Sequence, residues 1–202
     1  MRYFLIFFSI VLVLGCVPYS DHPITSPDKK HLDSSILGTW FWKDKDESGY
    51  IHIGLDEKSK LLRLMMLEFD RHGELEASEF SGHTSSLNGN KYLNLKWLRP
   101  VQKEITGYIF LKYVVSSDSL CIAFMDSDVA EKAINDKSLR GKVENDKGSL
   151  SVHITEGQKK LQDFIIQKDK ELFSEVKCLP KLKLPNKRPE QKPKSGASQA
   201  NH

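Results

Sequence analysis

The 202-residue chain is predicted to be mainly β: an antiparallel meander forming a small barrel or a strongly curved sheet, plus two short helices. Three observations predict this. Apolar and polar residues alternate through the middle of the chain, as strands with one buried face require. The stretches between them are short and rich in Gly, Asn, Asp and Ser, which suits hairpins between consecutive strands rather than the long crossovers of a parallel sheet. Eight or nine such strands also occupy only about 140 residues, and sheets of that many strands curl, split or close.

The strands follow in order. "ILGTWFWK" (36–43) is rich in aromatic and β-branched residues, and in "YIHIGL" (50–55) Ile51, Ile53 and Leu55 alternate with Tyr50, His52 and Gly54. "LLRLMMLEF" (61–69) is apolar on both faces, and "ELEASEF" (74–80) is a more polar strand suited to an edge. "KYLNLKWL" (91–98) sets Leu93, Leu95 and Trp97 on one face and Tyr92, Asn94 and Lys96 on the other. "EITGYIFLKYVV" (104–115) is the longest strand, with Gly107 as a bend or bulge, and "SLCIAFM" (119–125) follows a tight polar turn. A last hairpin is expected over 141–154.

Two helices complete the pattern. Asp126 or Ser127 caps "DVAEKAINDK", which is placed to plug or cover one end of the sheet. Thr155 and Gln158 have the spacing of a capping box before a helix that buries Leu161, Phe164, Ile165 and Leu172.

Both ends of the chain differ from this body. Arg2 is the only charge before Cys16, and from Tyr3 to Leu14 only Ser9 is polar. This is the n-region and h-region of a secretory signal, too short for a transmembrane helix. Val13-Leu14-Gly15-Cys16 resembles the cleavage zone of bacterial lipoproteins. The resemblance implies removal of residues 1–15, lipidation of Cys16 and an envelope location. It favours the periplasmic face of an outer membrane where the organism has one, because Val17 rather than Asp follows the cysteine. Residues 16–35, with Pro18, Pro23 and Pro27, are expected to be a flexible tether, and 36–178 the globular domain. Residues 179–202 carry six basic side chains against Glu190 alone and are expected to be a disordered basic tail.

With Cys16 lipidated, Cys121 and Cys178 remain in an oxidising compartment. A disulfide and two separate thiols both fit the sequence.

Gly38-Thr39-Trp40, at the first strand, resembles the Gly-x-Trp of lipocalins and related calycins. There the Trp closes the base of a barrel and an Arg near the last strand packs over it. Here Arg140 precedes the last hairpin and the next Arg lies in the tail, so the expected partner is missing. The resemblance implies a small apolar ligand inside the barrel, lined by Ile51, Ile53, Leu93, Leu95, Ile109 and Leu111. The same residues also suit a filled core.

No catalytic motif is present: there is no G-x-S-x-G, no phosphate loop and no activated cysteine signature. The seven histidines show no metal-ligand spacing, so neither a metal nor a cofactor is expected. The basic tail has no aromatics, which argues against nucleic acid. The expectation is a non-enzymatic, lipid-anchored envelope protein whose β-domain binds an envelope protein or a small apolar ligand. The alternatives are a structural tether with its basic tail on an anionic wall polymer or lipopolysaccharide, and an envelope enzyme without a recognisable motif.

Cys16→Ala should abolish incorporation of labelled palmitate and move the protein to the aqueous phase of a detergent partition. Continued membrane retention of the variant would contradict the anchor.

Overall fold

The computed structural model describes residues 17–28, 32–44, 48–69, 72–98, 106–146 and 149–183. The expected lipidation site Cys16, the expected signal segment and the chain beyond Lys183 lie outside the described residues.

Eleven strands form one mixed sheet: β1 (Tyr19–Ser20), β2 (Gly38–Lys43), β3 (Ser48–Leu55), β4 (Leu62–Phe69), β5 (Leu75–Leu87), β6 (Asn90–Trp97), β7 (Tyr108–Val115), β8 (Ser119–Phe124), β9 (Gly141–Asp146), β10 (Ser149–Ile154) and β11 (Lys177–Pro180). The helices are α1 (Ser127–Asn135) and α2 (Gln158–Leu172), and a single 3-10 turn spans Ser34–Ile36. From β2 to β8 each strand pairs antiparallel with the next, so the expected meander is present.

The sheet forks at β7. Tyr108 and Ile109 pair with β1, while Leu111–Val115, further along the same strand, pair with β8. One branch continues β1-β10-β9, and β1–β10 is its parallel pair. The other continues to β11, whose end returns to β2. Trp40 and Lys181 form an antiparallel bridge there, and the Leu182 N–H donates to Thr39 O at 2.8 Å. A continuous ladder does not join β11 to β2 among the described residues, so the sheet is not closed into a barrel.

Apolar residues are buried on both faces. The inner face holds Trp40, Ile53, Leu64, Phe80, Leu93, Leu111, Tyr113 and Leu179 in one cluster. The outer face of β6–β8 presents Tyr92, Phe110 and Ala123 to a second cluster, closed by Leu139, Ile154 and the apolar stripe of α2. Tyr92 and Asn94, on the polar face of their strand by alternation, are therefore fully covered. Fully burying one large apolar side chain contributes about 1.5–3 kcal/mol, so two clusters outweigh the polar cost of covering Asn94 once its hydrogen bonds are made.

Several expectations need correcting. The 16–35 segment is no flexible tether where it is described: Tyr19 and Ser20 pair on both sides, and Ile24 is completely buried. Part of the chain ahead of Ile36 thus belongs to the packed domain. The domain also continues past 179: Leu179 is buried, Pro180 pairs with Ser119, and Lys181 reaches β2. The edge strand expected over 74–80 is β5, thirteen residues long and interior, between β4 and β6. In its polar second half, the Ser85 hydroxyl meets Thr25 and Asn94, His83 meets Thr25 O, and Thr84 Oγ1 accepts from the Asp33 N–H. Gly107 is not a bulge within a strand. It precedes β7, where an added Cβ would stand 2.7 Å from Ser20 O, so the close approach of β1 requires glycine. The capping box does not form either. Gly157 is the N-cap without a side-chain bond, and Gln158 Nε2 donates to Pro23 O instead. Asp126 does cap α1, accepting from the N–H groups of Asp128 and Val129.

Cys121 and Cys178 stand directly opposite in the β8–β11 pair and form a disulfide. The bridge closes a loop of 57 residues, for which chain entropy suggests about 4 kcal/mol. The double variant Cys121→Ala, Cys178→Ala should lose roughly 2–5 kcal/mol in urea unfolding. A midpoint unchanged from the parent would contradict that contribution.

Candidate functional site

The six expected lining residues converge. Leu93 stands opposite Leu111, Leu95 opposite Ile109, Ile51 opposite Trp40 and Ile53 opposite Gly38. All six are buried on the inner face, in the cluster that also holds Trp40, Trp42 and Phe80. Strand alternation brings them together: each is an inward residue of β3, β6 or β7.

One end of this face is closed by the Gly-x-Trp corner. Trp40 is fully buried, and its Nε1–H donates to Ile36 O in the 3-10 turn at 3.0 Å. Lys181 Nζ lies 4.9 Å from the centre of the Trp40 ring, a cation–π contact. Gly38 has φ +139°, and a Cβ there would stand 3.0 Å from Lys181 Cε. Glycine is therefore favoured by the backbone, and the bare Cα leaves room for the Lys181 side chain. Lys181 belongs to segment 179–202, expected from the sequence to be a disordered tail.

The same end carries a charged cluster. Asp33 caps the 3-10 turn through Ser35 N, accepts from Lys91 Nζ at 2.7 Å and from Tyr113 OH at 2.9 Å, and also takes the Ser35 hydroxyl. Burial alone would raise the Asp33 carboxyl, but the bonds from Lys91, Ser35 and Tyr113 outweigh it and hold the pKa at about 2. Burial and the adjacent Asp33 push the Tyr113 phenol upward, so it stays a donor.

The opposite end is aromatic. Phe80 and Trp97 are register partners with ring centres 4.2 Å apart. Trp42 lies over Gly49, and Lys177 Nζ sits 5.8 Å from the Trp42 ring while pairing with Asp44 Oδ2 at 2.7 Å.

Outside β5 and β6 lies a polar lock that alternation had not suggested. Ile24 N–H donates to Asn94 Oδ1 at 2.6 Å, and Asn94 Nδ2 donates to Ser85 Oγ at 2.7 Å. Thr25 and Ser85 share a hydroxyl bond at 2.6 Å, and His83 Nε2 meets Thr25 O at 2.7 Å. Burial lowers the His83 pKa more than that bond raises it, so the ring is neutral and donates to the carbonyl. Gln162 Nε2 donates to Ile24 O at 2.7 Å from α2. These groups hold chain rather than face an open cleft, and no described buried side-chain nitrogen or oxygen lacks a partner.

The outer face of β2–β5 carries large apolar side chains. Phe41, Tyr50, Leu67 and Ala77 form one lateral row by register, and Phe69 stands opposite Leu75. Tyr50, Met65, Phe69 and Leu75 are exposed. The two-sided apolarity of "LLRLMMLEF" was the sequence signal for this row.

Among the described residues, no group of three or more His, Cys, Asp or Glu could hold a metal ion, and no helix is long and apolar enough to cross a membrane. No protein-family model matches the chain, and neither the curated proteins nor the solved structures give a match.

The low Asp33 pKa has a pH consequence. A carboxyl lowered on folding contributes stability above its unfolded value of 3.8, which is lost as pH falls toward about 2. Asp33→Asn should therefore be less stable than the parent at neutral pH and converge with it between about pH 4 and pH 2 in acid-unfolding curves. A gap that persists at pH 2 would contradict this role.

Proposed function

We propose that this chain is a lipid-anchored envelope protein, non-enzymatic, whose domain is a calycin-like barrel that takes a small apolar ligand against its inner face. The observation that carries this reading is the Trp40 corner. A fully buried Trp40 bonded to the preceding 3-10 turn, a Gly38 that admits a neighbouring chain, and a cation over the indole all stand where β11 meets β2. This is the arrangement that the Gly-x-Trp resemblance implies, with Lys181 in place of Arg. What supports a barrel is one bridge and one backbone bond between β11 and β2, the gap whose closure would make an eight-strand circuit of β2 to β8 and β11. The anchor rests on Val13-Leu14-Gly15-Cys16. The aromatic end, with Trp42, Phe80 and Trp97, is the entrance.

The test is native mass spectrometry of protein purified from its own envelope, with titration of a fluorescent apolar probe. The expected result is one apolar molecule per chain. Leu93→Phe and Ile109→Phe should each reduce uptake at least tenfold, with circular dichroism confirming that the variants are folded. A parent that carries nothing and takes up no probe would overturn the ligand reading. It would leave the exposed face of Tyr50, Met65, Phe69 and Leu75 as the surface for an envelope protein partner.

A further inference from the structure

We propose that the lipid at Cys16 holds the domain flush against the bilayer in one orientation, with the β1 side facing the membrane and the β2–β5 outer face turned away. This inference rests on the lipid-anchor reading and adds to it a membrane-facing surface.

Chain length sets this placement. Successive Cα atoms are about 3.8 Å apart, so a lipidated Cys16 lies within that distance of Val17. Val17 already packs against the inner-face cluster, and Pro18 is buried. Tyr19 pairs with Ile109 on one side and His153 on the other, and its ring stacks on His153 at 4.5 Å. Ser20 is fully buried, and Asp21 accepts at 2.7 Å from His153 Nε2 while its N–H donates to Ile154 O. From there the chain is fastened by Gln158 at Pro23, by Asn94 and Gln162 at Ile24, and by His83 at Thr25. No slack remains between the acylated residue and a strand held on both edges. A flexible spacer would let the domain tumble above the surface, whereas a single residue does not.

The direction follows from sheet order. Lys142 on β9 is exposed and pairs with His153, two strands from Tyr19, or about 10 Å along the sheet. Met65 on β4 is exposed and four strands away on the other side, about 19 Å along the sheet. The exposed Tyr50, Met65, Phe69 and Leu75 are thereby kept off the lipid.

The experiment uses the full-length lipidated protein with its disulfide intact, carrying a bimane label at Lys142→Cys or Met65→Cys. It is reconstituted into phosphatidylcholine–phosphatidylglycerol vesicles containing a lipid with a nitroxide on its headgroup. The label at 142 should be quenched several-fold more than the label at 65. Inserting about ten Gly and Ser residues between Cys16 and Val17, with a reach of roughly 17 Å, should bring the two toward equality. Equal quenching in vesicle-bound protein without the insert, or an insert without effect, would overturn the orientation. Protein that fails to float with the vesicles would instead overturn the lipid anchor.

Discussion

The fold depends on the burial of Ile24 and of the short chain on either side of it. This segment lies between the outer face of β5–β6 and helix α2, and its backbone cannot pair with a strand at every point. Side chains do so instead: Asn94, Gln162, Gln158 and His83 each hold a main-chain N–H or carbonyl there. A buried amide left unpaired costs about 1–3 kcal/mol, so these residues decide whether the segment docks. Two-residue β1 in turn carries the β9–β10 hairpin, which touches the rest of the sheet through it. Without the docked segment the hairpin loses its ladder and the second apolar cluster loses Ile24.

The second constraint lies at the other branch of the fork. There β8 and β11 are joined by the disulfide, and β11 ends against β2 at Trp40 and Lys181. The two branches divide the labour of the domain. One shapes the apolar inner face and its closed end, and the other ties the amino-terminal chain to the outer face. In the proposed function, the first branch holds the ligand and the second holds the domain to its membrane.

Periodicity revealed the first branch well and the second poorly, for a physical reason. Strands β2 to β8 alternate because one face of each meets a continuous core, and the six lining residues follow from that rule. Tyr92 and Asn94 break it, because a helix distant in sequence covers Tyr92 and the Ile24 segment covers Asn94. The signal for β1 is two residues long and lies among prolines, which composition reads as linker. Its evidence is distributed over Ser85, Asn94, Gln158 and Gln162, polar residues that resemble surface until their partners are known. Lys181 is a similar case. Basic residues next to Pro180 read as the start of a solvated tail, and only the return of β11 to β2 gives that lysine an indole to cover.

The central claim, that the amino-terminal segment is structural and not a tether, is tested most directly by amide hydrogen exchange of residues 19–25 in the folded protein. The account predicts protection of the Ser20 and Ile24 amides comparable to that of the β6 amides, since Ile24 N–H is held by the fully buried Asn94. Exchange at the rate of an unstructured chain, with β6 and β7 still protected, would contradict it.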